Sequence, residues 1–158
     1  MHIDMISNDA DKPVVLAVAS FGGHLVQLMR MMRPVSDACR LVYVSTAEEG
    51  RPEGEHNFYL VQDFSRTNFC RAFGQIKRLF AIMRREKPDM IISTGAAPGL
   101  MGLLVGRLMG IHTIWIDSVA NADRLSLCGR IAVYIADRTL TQWPHLAAKK
   151  VEYHGNVL

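Results

Sequence analysis

Val14-Val15-Leu16-Ala17-Val18-Ala19-Ser20-Phe21-Gly22-Gly23-His24 opens on six consecutive apolar residues, passes through a glycine pair, and leads into a segment with apolar residues at helical spacing. A continuous β-prone run is how a strand covered on both faces of a parallel sheet reads in sequence. From His24 to Arg33, Leu25, Leu28, Met29 and Met32 mark one helix face before Pro34 stops it. The unit is strand, glycine turn, helix, and it recurs. Residues 41–44 read as a strand, 48–57 as a polar loop, 58–61 as a short strand, and about Thr67 to Glu86 as a long helix. Residues 90–92 are a buried strand ending at Ser93-Thr94-Gly95-Ala96-Ala97-Pro98, with a helix from Pro98 to about Met109. A fifth strand at 113–116, a loop from Asp117 to Leu125, a helix from Ser126 to Ala136 and a sixth strand at 139–141 complete the pattern. This alternation predicts an α/β fold, a Rossmann-like parallel sheet with helices on both faces, whose ligands sit at the carboxyl ends of the strands. The loops starting at Ser20, Ser93 and Asp117 are therefore the candidate site. Without repeat or linker, residues 1–158 read as a single domain with an ordered core over about 14–158.

A chain of 158 residues with 49% apolar and 21% charged residues is long and hydrophobic enough to bury a core, which excludes a disordered chain and a disulfide-stapled miniprotein. Cys39, Cys70 and Cys128 lie far apart, so neither a disulfide framework nor a zinc site is suggested, and a reducing cytosol fits. Met1 to Met5 has neither the basic flank nor the apolar core of a signal peptide or anchor. The uncharged span 90–106 is shorter than the ~20 residues that cross a bilayer. Net charge is +3 but uneven, since residues 58–158 carry 13 basic against 7 acidic side chains.

Gly22 and Gly23 let backbone amides at a helix start approach an anion, a phosphate or diphosphate by preference. The same pair also suits an ordinary tight turn. Neither G-x-G-x-x-G nor G-x-x-x-x-G-K-[ST] is present, which argues against a dinucleotide and against P-loop chemistry. His24, beside that loop, has an imidazole suited to accept a proton from a bound hydroxyl, and Asp117, after a buried strand, is the second candidate base or an orienter of a sugar hydroxyl. Each also has a plain structural role, as a helix-start residue and a loop cap. The helix from Thr67 combines Phe73 and Phe80 with Lys77, Arg78, Arg84 and Arg85, a basic amphipathic pattern that suits an anionic membrane surface, although Phe at helical spacing also builds core. With no recognised nucleic-acid motif, anionic lipid is the better partner.

Gly22-Gly23-His24, the Ser93-Thr94-Gly95 turn, the run Asp117-Ser118-Val119-Ala120-Asn121-Ala122-Asp123-Arg124-Leu125-Ser126-Leu127-Cys128-Gly129-Arg130 and Ala136-Asp137-Arg138-Thr139-Leu140-Thr141-Gln142-Trp143-Pro144 together carry a resemblance over residues 14–158. The chain resembles the acceptor subunit of split N-acetylglucosaminyltransferases of lipid-linked oligosaccharide synthesis, and its PssD-type polysaccharide-biosynthesis relatives. Tyr153-His154-Gly155-Asn156-Val157 looks like the linker into the second half of MurG-type enzymes. The resemblance implies the N-terminal, acceptor-facing half of a GT-B glycosyltransferase, inactive or weakly active without a separate subunit that binds the UDP-sugar. It implies an inverting transfer to a polyprenyl-diphosphate-linked saccharide, with no metal and no cofactor, on the cytoplasmic, inner face of the membrane, where contact would be peripheral. His24 and Asp117 are the expected catalytic residues, although the family often has Glu where Asp117 stands. Ser20, Gly22, Gly23, Ser93, Thr94, Gly95, Ser118 and Asn121 are expected to hold the acceptor and its phosphates, and Phe73, Lys77, Arg78, Phe80, Arg84 and Arg85 to face lipid. The rival readings are a non-catalytic membrane recruiter of a complete glycosyltransferase and a self-sufficient sugar-nucleotide enzyme.

Overall fold

A computed structural model of the chain describes residues 12–54, 56–62 and 69–157. Seven parallel strands form one sheet in the order β3-β2-β1-β4-β5-β6-β7. They are β1 (Val14–Ala19), β2 (Arg40–Ser45), β3 (Asn57–Leu60), β4 (Met90–Gly95), β5 (His112–Ile116), β6 (Arg138–Thr141) and β7 (Glu152–Tyr153). The helices are α1 (Gly23–Met32), α2 (Phe69–Glu86), α3 (Ala96–Leu108) and α4 (Leu127–Ile135). The Rossmann-like expectation holds.

Sheet order reverses between β1 and β4, which register Val15 opposite Met90 and Val18 opposite Ser93. In open parallel sheets that reversal leaves a crevice at the carboxyl ends, because the connections on either side depart in opposite directions. Helices α2, α3 and α4 cover one face, where Leu79, Ile82, Met83, Leu103 and Ala132 pack on Leu16, Val42, Val44, Ile91 and Trp115. On the other face α1 packs Leu25, Leu28 and Met32 against Val15, Ala17, Leu41, Tyr43 and Ile92. Each fully buried Leu or Ile contributes on the order of 2 kcal/mol by leaving water.

Beyond shifts of a single residue at element ends, two features differ from expectation. Residues 93–95 continue β4 rather than forming a turn, and α3 begins at Ala96 rather than Pro98, because Gly95 takes φ +151° and reverses the chain in a single residue. The strand at 152–153 was not foreseen: two residues, one of them charged, carry no apolar run, and Glu152 is held to its neighbour by Arg138. The expected helix start at Thr67 lies outside the described residues.

One buried polar clasp fixes the tilt of α2. The carboxylate of Glu86, at the helix end, accepts from Arg40 Nη1 at 2.6 Å, from Asn57 Nδ2 at 3.1 and 3.2 Å, and from Tyr59 Oη. Arg40 Nη2 also donates to the Glu86 carbonyl at 3.0 Å, satisfying an orphan acceptor of the last turn. Burial by itself would raise the Glu86 pKa, but the hydrogen bonds from Tyr59, Arg40 and Asn57 outweigh it and hold the carboxyl below its ordinary value. A depressed folded-state pKa stabilises above the unfolded value and loses that contribution as pH falls through the folded one. Thermal melts are therefore expected to show stability falling on acidification from about pH 5 downward, with Glu86→Gln flattening that dependence and costing about 2 kcal/mol at neutral pH.

Candidate functional site

At the carboxyl ends of β1 and β4, two helix N-termini meet without side-chain caps. Gly22, before α1, sits at φ +100°, and neither Gly22 nor Gly23 has an atom within 4 Å of where a Cβ would stand. Space beside the start of α1 is thus open where side chains would otherwise stand. α3 likewise starts from Gly95 with no side-chain cap, followed by Ala96 at φ +64°, a left-handed placement that costs a residue with a Cβ about 1–2 kcal/mol. By contrast, Ser126 caps α4, accepting from Gly129 N at 2.8 Å. Helix starts without side-chain caps and the positive ends of two helix dipoles are features suited to an anion.

His24 links the two helix starts. Its Nδ1 lies 3.0 Å from the Thr94 carbonyl, and Thr94 Oγ1 donates to the His24 carbonyl at 2.7 Å. A carbonyl only accepts, so Nδ1 carries the proton, and in the neutral ring Nε2 is left as the acceptor. The ring lies against Gly95 so closely that a Cβ there would overlap it. Ser93 and Thr94 are buried, and their hydroxyls are committed inside the fold, Ser93 Oγ accepting from Gly95 N at 3.3 Å. They set the shape of the crevice rather than lining it. Ser20 is buried at the end of β1.

Asp117 is 2% exposed. One carboxylate oxygen accepts from Ser126 Oγ at 2.6 Å and Trp115 Nε1 at 3.1 Å, and the other from Ser126 N at 2.8 Å. With its lone pairs engaged in this way, the carboxylate anchors the 117–126 loop and the start of α4. The same loop is tied down at several further points. Val119 N donates to Gln27 Oε1 at 3.1 Å, Trp143 Nε1 to Val119 O at 2.8 Å, and Gln142 Nε2 to Asp117 O at 2.9 Å. A ring nitrogen of His145 lies 2.6 Å from the Ala122 carbonyl. These bonds hold the loop carrying half-buried Ser118 and Asn121 beside α1. Gln27, Gln142, Trp143 and His145 were not singled out by sequence reasoning. The Gln142-Trp143-Pro144 run was the available signal, but its spacing does not say what it holds.

On α2, Phe73 is 61% exposed and Phe80 43%, with Lys77 Nζ 4.7 Å from the Phe73 ring centroid and Arg84 5.9 Å from that of Phe80. Residues 73, 77, 80 and 84 share one outward stripe, flanked by exposed Arg78 and Arg85, while Leu79, Ile82 and Met83 take the core side. Among the described residues no helix is long and apolar enough to cross a membrane, and no cluster of three or more His, Cys, Asp or Glu is placed to hold a metal ion.

Residues 62–157 match the family described as "Oligosaccharide biosynthesis protein Alg14 like". The UDP-N-acetylglucosamine transferase subunit ALG14 of Yarrowia lipolytica is 26% identical over 175 residues, covering 90% of this chain and 80% of the relative. Its Homo sapiens counterpart is 22% identical over 178 residues, covering 91% and 82%. Among solved structures, Acinetobacter baumannii MurG superposes with a TM-score of 0.75 at 16% identity, over 93% of this chain and 46% of that one. A UDP-N-acetylglucosamine 2-epimerase from Rickettsia bellii gives 0.69 at 14%, over 92% and 45%. These likenesses concern the fold, and the chain spans less than half the length of either structure.

Asp117→Ala is expected to lower unfolding stability in urea by about 2–3 kcal/mol, since it leaves the Ser126 amide and the Trp115 indole unpaired. Gly129→Ala, whose Cβ would come within 2.5 Å of Asp117 Oδ1, is expected to destabilise the same loop. Protease cleavage within 117–126 should rise in both variants.

Proposed function

The chain belongs to the Alg14-like family of oligosaccharide biosynthesis proteins, and from that premise we propose that it is the acceptor-side subunit of a two-component, inverting glycosyltransferase. Its donor-binding partner would present a UDP-sugar, N-acetylglucosamine being the sugar in the names of the relatives. The acceptor would be a polyprenyl-diphosphate-linked saccharide at the inner face of the membrane. The observation that carries this reading is the pair of uncapped helix N-termini joined by His24 at the sheet reversal: a site for a doubly charged group with a proton acceptor beside it.

In this mechanism the amides opening α1 and α3 hold the acceptor's diphosphate, and the acceptor hydroxyl faces His24. Nε2 takes the hydroxyl proton as the oxygen attacks the anomeric carbon, and UDP departs from the opposite side into the partner. Thr94 contributes by fixing the tautomer, because its carbonyl keeps the other ring proton on Nδ1. Asp117 contributes at one remove, through the loop that carries Ser118 and Asn121. The aromatic and basic stripe on α2 rests on the bilayer, Phe73 and Phe80 entering the interface and Lys77, Arg78, Arg84 and Arg85 meeting anionic headgroups.

In a reconstituted complex, His24→Ala is expected to lower transfer by about 10²–10⁴-fold while the chain stays folded, with a stability loss of about 1 kcal/mol from the lost bond to the Thr94 carbonyl. Full turnover in that variant, or equal transfer by the donor subunit alone, would sink the reading. Phe73→Ser/Phe80→Ser/Lys77→Glu/Arg84→Glu is expected to abolish co-sedimentation with vesicles containing phosphatidylglycerol while leaving the fold intact, since these side chains are exposed.

A further inference from the structure

Parallel pairing of β2 with β3 requires the chain to cross over the sheet, a step that usually takes a helix. Here the described residues of the connection hold no helix, and among the described residues no helix stands beside α1 over β2. The result is a groove of about 580 Å³ on the α1 face of the sheet. Its floor is aliphatic and aromatic, formed by Val26 and Met29 from the outer flank of α1 and by Leu41 and Tyr43 of β2. Arg30 and Arg33 stand on one side and Arg51 on the other, against a single acid, Glu53. Neither Arg30 nor Arg33 has an ion-pair partner among the described residues, and the Arg51 guanidinium lies over the Phe58 ring, 5.7 Å from its centroid.

An apolar floor beneath unpaired guanidinium groups matches a molecule that is itself divided into an apolar chain and an anion. Arg30 lies seven residues down α1 from Gly23, about 10 Å at 1.5 Å per residue, so a diphosphate on the glycine loop and an anion on Arg30 and Arg33 are different groups. The groove lies on the α1 face beside β2, next to the edge strand β3, and α2 covers the opposite face of the sheet. We propose that this groove binds one anionic phospholipid, its phosphate on Arg30, Arg33 and Arg51 and the start of an acyl chain over Met29 and Leu41. This site involves neither the glycine loop nor a donor subunit, so it stands or falls apart from the transferase reading.

The test titrates the isotope-labelled full chain with dihexanoylphosphatidylglycerol below its aggregation concentration, which avoids the contribution of a bilayer surface. Saturable amide shifts at Val26, Met29, Leu41 and Arg51 are expected, with the zwitterionic dihexanoylphosphatidylcholine at least about tenfold weaker. Arg30→Ala/Arg33→Ala should weaken the anionic lipid at least about tenfold, Arg30→Lys/Arg33→Lys should restore part of it, and Leu108→Ser, at the exposed end of α3, should leave it unchanged. Unaltered affinity in the double alanine variant, or shifts confined to residues 20–24, would overturn the proposal. Inorganic diphosphate binding the groove as tightly as the lipid would overturn the role of the floor. Farnesyl diphosphate displacing the phospholipid from the groove at lower concentration would overturn the phospholipid as occupant and assign the groove to an isoprenoid diphosphate.

Discussion

The reciprocal bonds between His24 and Thr94 tie together everything at the carboxyl edge of the sheet. Each side chain donates to the other residue's backbone carbonyl, so the first turn of α1 is locked to the last residues of β4 across the point where strand order reverses. That lock aligns two helix starts that are 73 residues apart in sequence, leaves both without a side-chain cap, and orients the imidazole between them. It also explains why Gly95 must be glycine: the ring occupies the space a Cβ would need, and the backbone adopts φ +151°. Hydroxyls that look like ligand contacts in a linear reading, those of Ser93 and Thr94, are used up in building this joint.

A second polar centre, around Asp117, does for the 117–126 loop what the first does for the glycine loop. A buried carboxylate is tolerated only when its oxygens are satisfied, and here a backbone amide, a hydroxyl and an indole satisfy them. Because Gly129 leaves room for that carboxylate and Ser126 both donates to it and caps α4, the loop, the cap and the acid form one unit. The methylene by which Asp is shorter than Glu matters in this setting. The position is an internal anchor whose reach is set by Ser126, so the shorter side chain is consistent with the geometry around it.

The third centre, Glu86, orients a surface rather than a site. Clasping the end of α2 to β2 and β3 turns Leu79, Ile82 and Met83 inward and leaves Phe73, Lys77, Phe80 and Arg84 outward. Two exposed phenylalanines beside unopposed cations are costly on a surface facing only water, and they become favourable at a lipid interface.

From sequence alone, the strand-helix alternation, the glycine loop and the basic character of α2 were legible, because apolar periodicity and turn chemistry are local properties that survive in one dimension. His24 and the glycine pair were legible for the same reason: they sit in the turn they serve. What only the tertiary structure decided was which partner each polar residue meets. Asp117 read as a base or a cap, and Ser126, Trp115 and Gly129 made it an anchor. Phe73 read as core or membrane surface, and the Glu86 clasp put it outside. Strand β7, the contacts of Gln27 and His145, and the groove beside α1 left no local pattern, and the Gln142-Trp143-Pro144 run did not say what it holds. Each arises from segments brought together by the sheet, and hydrogen-bond partners and empty space are properties of that packing rather than of any single segment.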